Sequence, residues 1–293
     1  ETNKIMLEMS QQGEINDKAL IKRLEERAKF LRENITETEK TTKATEDLGK
    51  SQEITPARIS DEIKAKVETS AKKAYEVLKK SDVIIGYKTY IDLVKEEFSH
   101  KELISSPMKK EIDRCKDVLE IAKTNKVVSL ISSGDAGVYG MAGIMLEIAD
   151  ENFSVEIIPG VTACNAAAAV VGAPIMHDSV NISLSDLLTD WDLIKKRIDL
   201  SSQADFVISL YNPKSNGRTT QIQEAQEIML KYKKADTPVA IVKNAKREGE
   251  EIVLTNLSEM LNHDIDMLTM VIIGNSMTFV KNGKMITPRG YKV

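Results

Sequence analysis

Apolar residues recur at helical spacing through the first 80 residues of the chain and in short continuous runs after them. Positions three and four apart predict an amphipathic helix over Asp17–Asn34 and a second helix over Ser60–Lys80. The polar stretch between them, Thr36–Gln52, is typical of a linker or of a frayed helix. We therefore expect residues 1–68 to form a helical, charged N-terminal extension.

From Ser81 onward, apolar runs alternate with helical stretches, which predicts mostly parallel sheets with crossover helices. The predicted strands are Val83–Ile85, Val127–Ile131, Val155–Ile158, Phe206–Leu210, Val239–Val242 and Met270–Ile273. The predicted helices are Lys109–Lys123, Tyr139–Ala149, Ala163–Val171, Asp192–Asp199, Thr220–Tyr232 and Leu257–Leu261. A hairpin is expected to pair Phe279–Val280 with Met285–Ile286. Because Pro174 and the polar residues after it indicate a boundary, we predict an α/β protein with domains over residues 69–177 and 178–293.

The composition is that of an ordinary globular protein, with 42% hydrophobic and 29% charged residues. A net charge of -4 and an aromatic fraction of 4% give no reason to expect a nucleic acid partner. The two cysteines, Cys115 and Cys164, and the three histidines lack metal-ligand spacing, so we expect neither a disulfide nor a bound metal. No apolar run is long enough to span a bilayer, and Glu1–Lys4 do not open a signal peptide, so we expect a cytoplasmic protein.

Glycines and polar residues follow the predicted strands, at the ends where open α/β sheets bind ligands. The loop Gly134–Gly137 lies between a predicted strand and a helix, where glycine permits close backbone approach and the helix N-terminus offers free N–H groups. Its spacing is not that of a dinucleotide fingerprint, so either a ligand site or a tight turn fits it. Thr162, after the next strand, is placed either to cap a helix or to contact a ligand.

Three similar loops follow strands of the second series, namely Tyr211–Arg218, Lys243–Gly249 and Gly274–Ser276. If they lie at equivalent strand ends, they line one shared cleft. The alternative is a set of solvated turns with incidental lysines and arginines.

Taken together, these segments resemble the cobalt-precorrin-3B and precorrin-3B C17-methyltransferases, a branch of the tetrapyrrole methylase superfamily. The resemblance covers nearly all of Tyr75–Val293, and the stretches GYKTY, SLSDLL and YNPKSNGR indicate this branch rather than methylases of other ring positions. The matching segments are Ser81–Tyr90, Ser132–Ala142, Ile158–Ala169, Ser183–Leu188, Tyr211–Arg218, Asn244–Glu248, Ile273–Ser276 and Met285–Tyr291.

The resemblance implies a two-domain tetrapyrrole methylase-like fold in which S-adenosylmethionine (SAM) lies in a cleft between the domains, usually in a homodimer. Asp135 is implied to contact a polar end of SAM. The implied SAM-binding residues are Gly134, Asp135, Ala136, Gly137, Val138, Thr162, Ala163, Tyr211, Asn212, Asn244, Ala245 and Thr269.

The implied reaction is methyl transfer from SAM to C17 of (cobalt-)precorrin-3B with ring contraction, in cobalamin synthesis, with S-adenosylhomocysteine (SAH) as the second product. Any cobalt arrives with the substrate. Ring contraction requires proton transfer, for which the candidates are Lys88, Tyr90, Asp186 and Arg247, with structural salt bridges as the competing explanation. The substrate carries many carboxylates, for which the candidate ligands are Lys88, Lys214, Arg218 and Arg247, with Arg218 and Arg247 the preferred pair.

The sequence departs from the family where a strand and a G-x-G-P-G loop are expected, just before Thr69–Glu76. The preceding segment, Ile54–Lys64, has neither the apolar run nor the glycines. One interpretation is that the helical leader replaces the strand in a protein that binds its ligands with reduced or no turnover. Another is that the N-terminus of this chain is not that of the working enzyme. A methylase for another ring position, or for a protein side chain, is a further alternative.

Overall fold

A computed structural model describes residues 72–108 and 110–291 of the chain. The predicted helix Asp17–Asn34, the linker Thr36–Gln52 and the position of the expected G-x-G-P-G loop lie outside the described residues. Of the predicted helix Ser60–Lys80, residues 72–80 are described, and they are helical (α1).

Eleven strands and seven further helical segments follow α1 in the described part of the chain. The first half contains β1 Val83–Tyr87, α2 Lys88–Val94, β2 Glu102–Ser106, α3 Glu111–Ala122, β3 Val128–Ile131, α4 Ala142–Ile148, α5 Ala163–Val171 and β4 Gly172–Ala173. The second half contains β5 Ser179–Ser183, α6 Trp191–Gln203, β6 Val207–Tyr211, α7 Gln221–Met229, β7 Pro238–Lys243, β8 Glu251–Asn256, a 3-10 turn Met260–Asn262, β9 Thr269–Ile273, β10 Phe279–Lys281 and β11 Lys284–Ile286.

The first sheet has the order β2-β1-β3, and its strands are all parallel, as the sequence predicted. Successive residues of β1 point to opposite faces, so both faces of this strand need a cover. Ile85 packs with Cys115 and other residues of α3 and α4 on one face, while Ile84 packs with Ile91 and Phe98 on the other. Burial of both faces explains the continuous apolar run in β1.

The second sheet has the order β5-β6-β9-β7-β8, and it is mostly antiparallel. Only β5 and β6 pair in parallel, so the prediction of a mostly parallel sheet is wrong for this half of the chain. A short turn joins β7 to β8, and β9 enters between β6 and β7 in the opposite direction. Residues of α6 and α7, including Ile198 and Met229, cover one face, and α5 covers the other through Ala167 and Val171.

Two predicted elements are wrong, and one prediction at the C-terminus is confirmed. Val155–Ile158 is not a strand, because no strand of the described residues pairs with it and an extended segment needs such a neighbour. The predicted helix Leu257–Leu261 is a turn that leads into the 3-10 segment. The hairpin of β10 and β11 forms as predicted around Asn282 and Gly283, and β11 also pairs with β4.

The α/β fold class is confirmed, whereas the division between residues 177 and 178 stays a prediction. Within the described ranges, we find no helix with both the length and the apolar character needed to cross a bilayer.

Candidate functional site

The loop after β3 is tied to the segment before α5 by one carboxylate. Asp135 Oδ1 accepts the N–H of Gly137 at 2.8 Å, and Asp135 Oδ2 accepts the N–H of Gly160 at 2.9 Å. These backbone hydrogen bonds hold the pKa of the Asp135 carboxyl below its usual value, so the group stays ionised. A Cβ on Gly160 would overlap the carbonyl oxygen of Gly134, so the two loops touch through bare backbone.

The end of β6 meets the start of α5 through the hydroxyl of Tyr211. This oxygen accepts the N–H of Cys164 at 3.1 Å and also bonds the hydroxyl of Thr162. The Thr162 side chain makes no cap bond, so a free N–H group at the start of α5 finds its acceptor in the Tyr211 hydroxyl at the end of β6. Of the two roles open to Thr162, the structure therefore excludes capping by its own side chain and brings Thr162 and Tyr211 together.

Tyr139 is a second link between the two halves of the described chain. Its ring lies 4.9 Å from the ring of Tyr211, and its hydroxyl donates to the carbonyl oxygen of Asn181 at 3.1 Å. Tyr139 has a φ of 53°, in the left-handed region that a tyrosine rarely adopts. The strained backbone and the two contacts together show a side chain that is held across the gap between β3 and β5.

The loops described so far form one wall of the candidate cleft. The opposite wall consists of the loops at one edge of the second sheet. Asn212 follows β6 and Asn244 follows β7, and both have left-handed φ values, of 49° and 50°. Thr269 opens β9 opposite Lys243 in the ladder, which places it at the same edge. The Asn212 amide donates to the Ser183 hydroxyl at 3.0 Å, so the end of β5 joins this group.

The loop Gly274–Ser276 does not belong to this edge, which corrects the expectation of three loops around one cleft. Because β9 runs antiparallel to β6 and β7, its carboxyl end lies beside their starts. The N–H of Gly274 accordingly donates to the carbonyl oxygen of Pro238, the first residue of β7. The amino end of β9, with Thr269, takes the place in the cleft that the carboxyl end was expected to take.

The predicted SAM-binding residues are thus brought together from two sides, although no ligand contact tests them. From the first side come the loop after β3 and the start of α5, with Gly134, Asp135, Ala136, Gly137, Val138, Thr162 and Ala163. From the second side come Tyr211, Asn212, Asn244, Ala245 and Thr269. Arg247 joins the sides a second time, because its guanidinium donates to the hydroxyl of Ser133.

Arg218 lies beside this cleft with an incomplete set of hydrogen bonds. Its Nη2 donates to the carbonyl oxygen of Asn212 at 2.7 Å and also lies 3.6 Å from the sulfur of Met267. Within residues 72–108 and 110–291, its Nε is the one buried side-chain nitrogen or oxygen that finds no hydrogen-bond partner. A buried donor without an acceptor is costly, so this atom is a natural place for an acceptor from a ligand.

The remaining candidates differ in what surrounds them. Burial raises the pKa of Tyr90, and the nearby positive charge of Arg247 opposes that shift only in part. Lys88 forms an exposed ion pair with Asp92 at 2.6 Å, one helical turn away. Asp186 accepts from the side-chain amide of Gln221 at 2.8 Å, and Lys214 lies partly exposed in the loop after β6. For Lys88, the alternative of a structural salt bridge therefore has direct support, whereas Asp186 forms a hydrogen bond to a neutral side chain.

The predicted set of SAM-binding residues omitted Tyr139 and Ser133, although both lie in the matching segment Ser132–Ala142, and Arg114 was not predicted at all. Arg114 lies buried on α3, where it donates to the Ser106 hydroxyl at 2.6 Å and to the carbonyl oxygen of Pro107 at 2.9 Å. A charged residue on a helix normally indicates a solvated face, so nothing in the local pattern marked it. Tyr139 follows the glycine loop directly, and that position was the only available signal.

Comparison with known proteins identifies the family of this chain. Residues 68–261 match the family model for tetrapyrrole (corrin/porphyrin) methylases. The cobalt-factor III methyltransferase of Priestia megaterium is 52% identical over 227 residues, which are 75% of this chain and 42% of that protein. The probable cobalt-factor III C(17)-methyltransferase of Salmonella typhimurium is 48% identical over 221 residues, which are 74% of this chain and 92% of that protein.

Solved structures show the same relationship. The methyltransferase CobJ superposes with a TM-score of 0.70 at 29% identity, over 74% of this chain and 92% of that chain. The fold is shared by the uroporphyrin-III C-methyltransferase of Thermus thermophilus that was solved with S-adenosylhomocysteine, with a TM-score of 0.51 at 20% identity, over 69% of this chain and 89% of that chain. The aligned part spans less than half of the Priestia protein but nearly all of the Salmonella protein and of CobJ. Because the family model matches more than half of its residues, this chain belongs to the tetrapyrrole (corrin/porphyrin) methylases.

Proposed function

We propose that this chain transfers the methyl group of SAM to C17 of cobalt-factor III, or of a closely related precorrin-3B, with contraction of the ring, in cobalamin synthesis. The observation that carries the proposal is the meeting of two sets of loops through Tyr139–Tyr211 and Arg247–Ser133. The names of the Priestia and Salmonella relatives support the choice of substrate and ring position.

The first set of loops suits a ligand such as SAM. The ionised Asp135 carboxylate has acceptor capacity beyond its two backbone bonds, which fits an ammonium or ribose hydroxyl group. Gly134 and Gly160 leave no side chain between the backbone and a ligand. When bound, SAM supplies an electrophilic methyl group on its sulfonium. The task of the protein residues is to hold donor and acceptor in line and to keep water out.

Two arginines are proposed to hold the carboxylates of the tetrapyrrole. Arg218 has a desolvated Nε that lacks an acceptor in the described part of the chain, and Arg247 lies where the two sets of loops touch. Lys88 and Lys214 are proposed as weaker ligands of the substrate carboxylates, because Lys88 already pairs with Asp92 and Lys214 is partly exposed.

For proton transfer we favour Tyr90 among the four candidates. Burial raises the pKa of its hydroxyl, so it keeps its proton at neutral pH and can donate a hydrogen bond, although it is a weaker acid than a free tyrosine. The guanidinium of Arg247 lies close enough to influence that pKa, and it is proposed to stabilise the negative charge that develops on the Tyr90 oxygen during proton transfer. Asp186 is the weaker candidate, because its carboxylate is already bonded to Gln221.

The deciding experiment uses the purified chain, cobalt-factor III and SAM labelled with carbon-13 at the methyl group. We expect SAH to form together with a corrinoid product that carries one labelled methyl group, assigned to C17 by nuclear magnetic resonance. A label at another ring carbon, or on a protein, would contradict the ring position and favour a related methylase activity.

A second candidate function is ligand binding without turnover, and the missing G-x-G-P-G motif favours it. SAH binding measured by calorimetry separates the two. Binding with no methylated product supports this second function, whereas any C17-methylated product excludes it.

We also propose that the chain works as a homodimer in the cytoplasm, with domains over residues 69–177 and 178–293. The first and second sheets support a boundary between Ile131 and Ser179, where one sheet ends and the other begins, although α5 and β4 before residue 177 pack with elements of the second half. The net charge of -4 and the low aromatic fraction support the absence of a nucleic acid partner. Sedimentation equilibrium checks the dimer, and a single-chain mass would contradict it.

A further inference from the structure

Two consecutive leucines between β5 and α6 point into solvent. The side chains of Leu187 and Leu188 are 64% and 93% exposed, whereas Leu184 in the same loop is completely buried. Single exposed apolar residues are common on protein surfaces and mean little alone. Here two occur in sequence, and covering them with a ligand would remove apolar surface from water, which is favourable.

The loop that carries these leucines is fixed by hydrogen bonds on both sides of them. On one side, the N–H of Leu184 donates to the carbonyl oxygen of Tyr211 at 2.9 Å, and the Asp186 carboxylate accepts from Gln221 at 2.8 Å. On the other side, Asp190 caps α6 by accepting the N–H of Asp192 at 2.9 Å. The leucines are therefore presented by an anchored loop rather than by a frayed segment.

The loop also lies at the edge of the sheet that forms the candidate cleft. β5 pairs in parallel with β6, with Ser183 opposite Tyr211, so the loop leaves β5 where Tyr211 and Asn212 leave β6. Asn212 joins the two, because its amide bonds the Ser183 hydroxyl while its carbonyl oxygen accepts from Arg218. Ser183, where the loop of the exposed leucines begins, and the Arg218 side chain therefore both contact the same asparagine.

We propose that Leu187 and Leu188 cover an apolar face of the tetrapyrrole macrocycle and so set the affinity for the substrate. This inference rests on the proposed function. A tetrapyrrole of this pathway combines a broad apolar ring with carboxylates at its rim, and the leucines and Arg218 offer the matching pair of contacts. Covering the ring on one side also excludes water from its reacting edge.

The test compares the double variant Leu187→Ser/Leu188→Ser with Leu200→Ser, which alters a half-exposed leucine of α6. Binding of cobalt-factor III is followed by absorbance, SAH binding by calorimetry, and turnover by product formation. We expect the double variant to bind cobalt-factor III about tenfold more weakly and to show a raised KM with kcat within about twofold. SAH affinity and the melting temperature stay unchanged, and Leu200→Ser behaves as the wild type.

Three results overturn the inference. Equal affinity of the double variant and the wild type for cobalt-factor III shows that the leucines do not touch the ring. Unchanged affinity accompanied by dissociation of a dimer assigns them to a contact between two copies of the chain. If the wild type binds SAH but no tetrapyrrole at all, the proposed function fails first, and the inference falls with it.

Discussion

The ring of Tyr139 packs against the ring of Tyr211 with 4.9 Å between centroids and 54° between planes. Tyr139 belongs to the loop after β3, and Tyr211 ends β6, so the pair joins the two sheets that flank the candidate cleft. The hydroxyl of Tyr211 in turn reaches Thr162 and the start of α5. A chain of contacts therefore runs from the glycine loop through two tyrosines to the helix start, and it fixes the separation of the two walls.

Loss of the Tyr139 ring is expected to weaken SAH binding. Aromatic pairs contribute about 0.5–1.5 kcal/mol beyond their burial, so Tyr139→Ala raises the Kd for SAH about tenfold, as measured by calorimetry. Tyr139→Phe keeps the ring and loses only the bond to Asn181, so its effect is about twofold to threefold. Tyr232→Ala removes another exposed, hydrogen-bonded tyrosine as a control. Equal effects of all three variants would contradict a role for the ring pair.

Asp135 is expected to organise the SAM site through the backbone it holds. Asp135→Ala leaves the N–H groups of Gly137 and Gly160 without their acceptor, and it removes the ionised carboxylate. Because hydrogen bonds to charged groups contribute about 1.5–3 kcal/mol, the Kd for SAH rises about 10-fold to 100-fold.

Asp150→Ala is the matched control for this change, since Asp150 also accepts a backbone N–H within its own turn, from Asn152. Both variants are compared by calorimetry with SAH. If Asp135→Ala binds SAH as tightly as Asp150→Ala does, the cofactor site lies elsewhere.

The local sequence predicted the central strands of the larger sheets well and missed most of the edge strands, although it identified β3 and β10. β1, β6, β7 and β9 are buried apolar runs, so their composition alone identified them to within about two residues. The unpredicted strands β2, β4, β5 and β8 are all at sheet edges, and nearly all of their residues are exposed or only partly buried. An edge strand is defined by the neighbour it pairs with, and that neighbour is distant in sequence.

The direction of the strands was the other feature that the sequence did not predict, and this error affected the predicted site directly. Glycine and asparagine at strand ends correctly marked the loops at Gly134, Asn212 and Asn244, which have left-handed φ values. The loop at Gly274 has the same local appearance but lies at the opposite edge, because β9 is antiparallel. The contacts of Tyr139 and the burial of Arg114 depend on tertiary packing, so no local pattern reveals them.

Arg218→Gln is expected to act on the tetrapyrrole and not on SAM. The variant loses the positive charge and the buried Nε donor, so KM for cobalt-factor III rises about 10-fold to 100-fold while the Kd for SAH changes less than about threefold. Arg289→Gln, which alters an exposed arginine near the C-terminus, serves as the control. A rise in the Kd for SAH with an unchanged KM for the tetrapyrrole would show that Arg218 contacts the cofactor and not the substrate.

Tyr90 offers a prediction about pH. Burial raises the pKa of its hydroxyl above the usual 10.0, so the group keeps its proton throughout the range from about pH 6 to about pH 9. Tyr90→Phe is expected to lower kcat about 100-fold, and the ratio of wild-type to variant kcat stays constant across that range. Tyr75→Phe is the control. A ratio that falls toward one as the pH rises would show that the hydroxyl titrates in this range.

Lys233 is expected to hold the edge of the second sheet that lies opposite the cleft. Its side chain is 1% exposed, and its Nζ donates to the carbonyl oxygens of Phe206 and Gly274 at 2.8 and 3.0 Å, with Asp205 at 3.6 Å. Burial lowers the pKa of this lysine, and the charge of Asp205 opposes the shift. Lys233→Met removes the donor of two carbonyl groups and the charge beside Asp205, which keeps its hydrogen bonds from Ser276, so the free energy of unfolding falls by about 2–4 kcal/mol.

Urea unfolding of Lys233→Met and of the exposed neighbour Lys234→Met measures this loss. Lys234→Met is expected to match the wild type within about 0.5 kcal/mol, because surface substitutions rarely cost more. SAH affinity of the folded Lys233→Met protein stays within about twofold of the wild type, since Gly274 lies at the edge away from Asn244 and Thr269. A folded Lys233→Met protein with normal stability but weakened SAH binding would indicate that Gly274 lies near the cofactor site. That result would contradict its position at the opposite edge of the sheet.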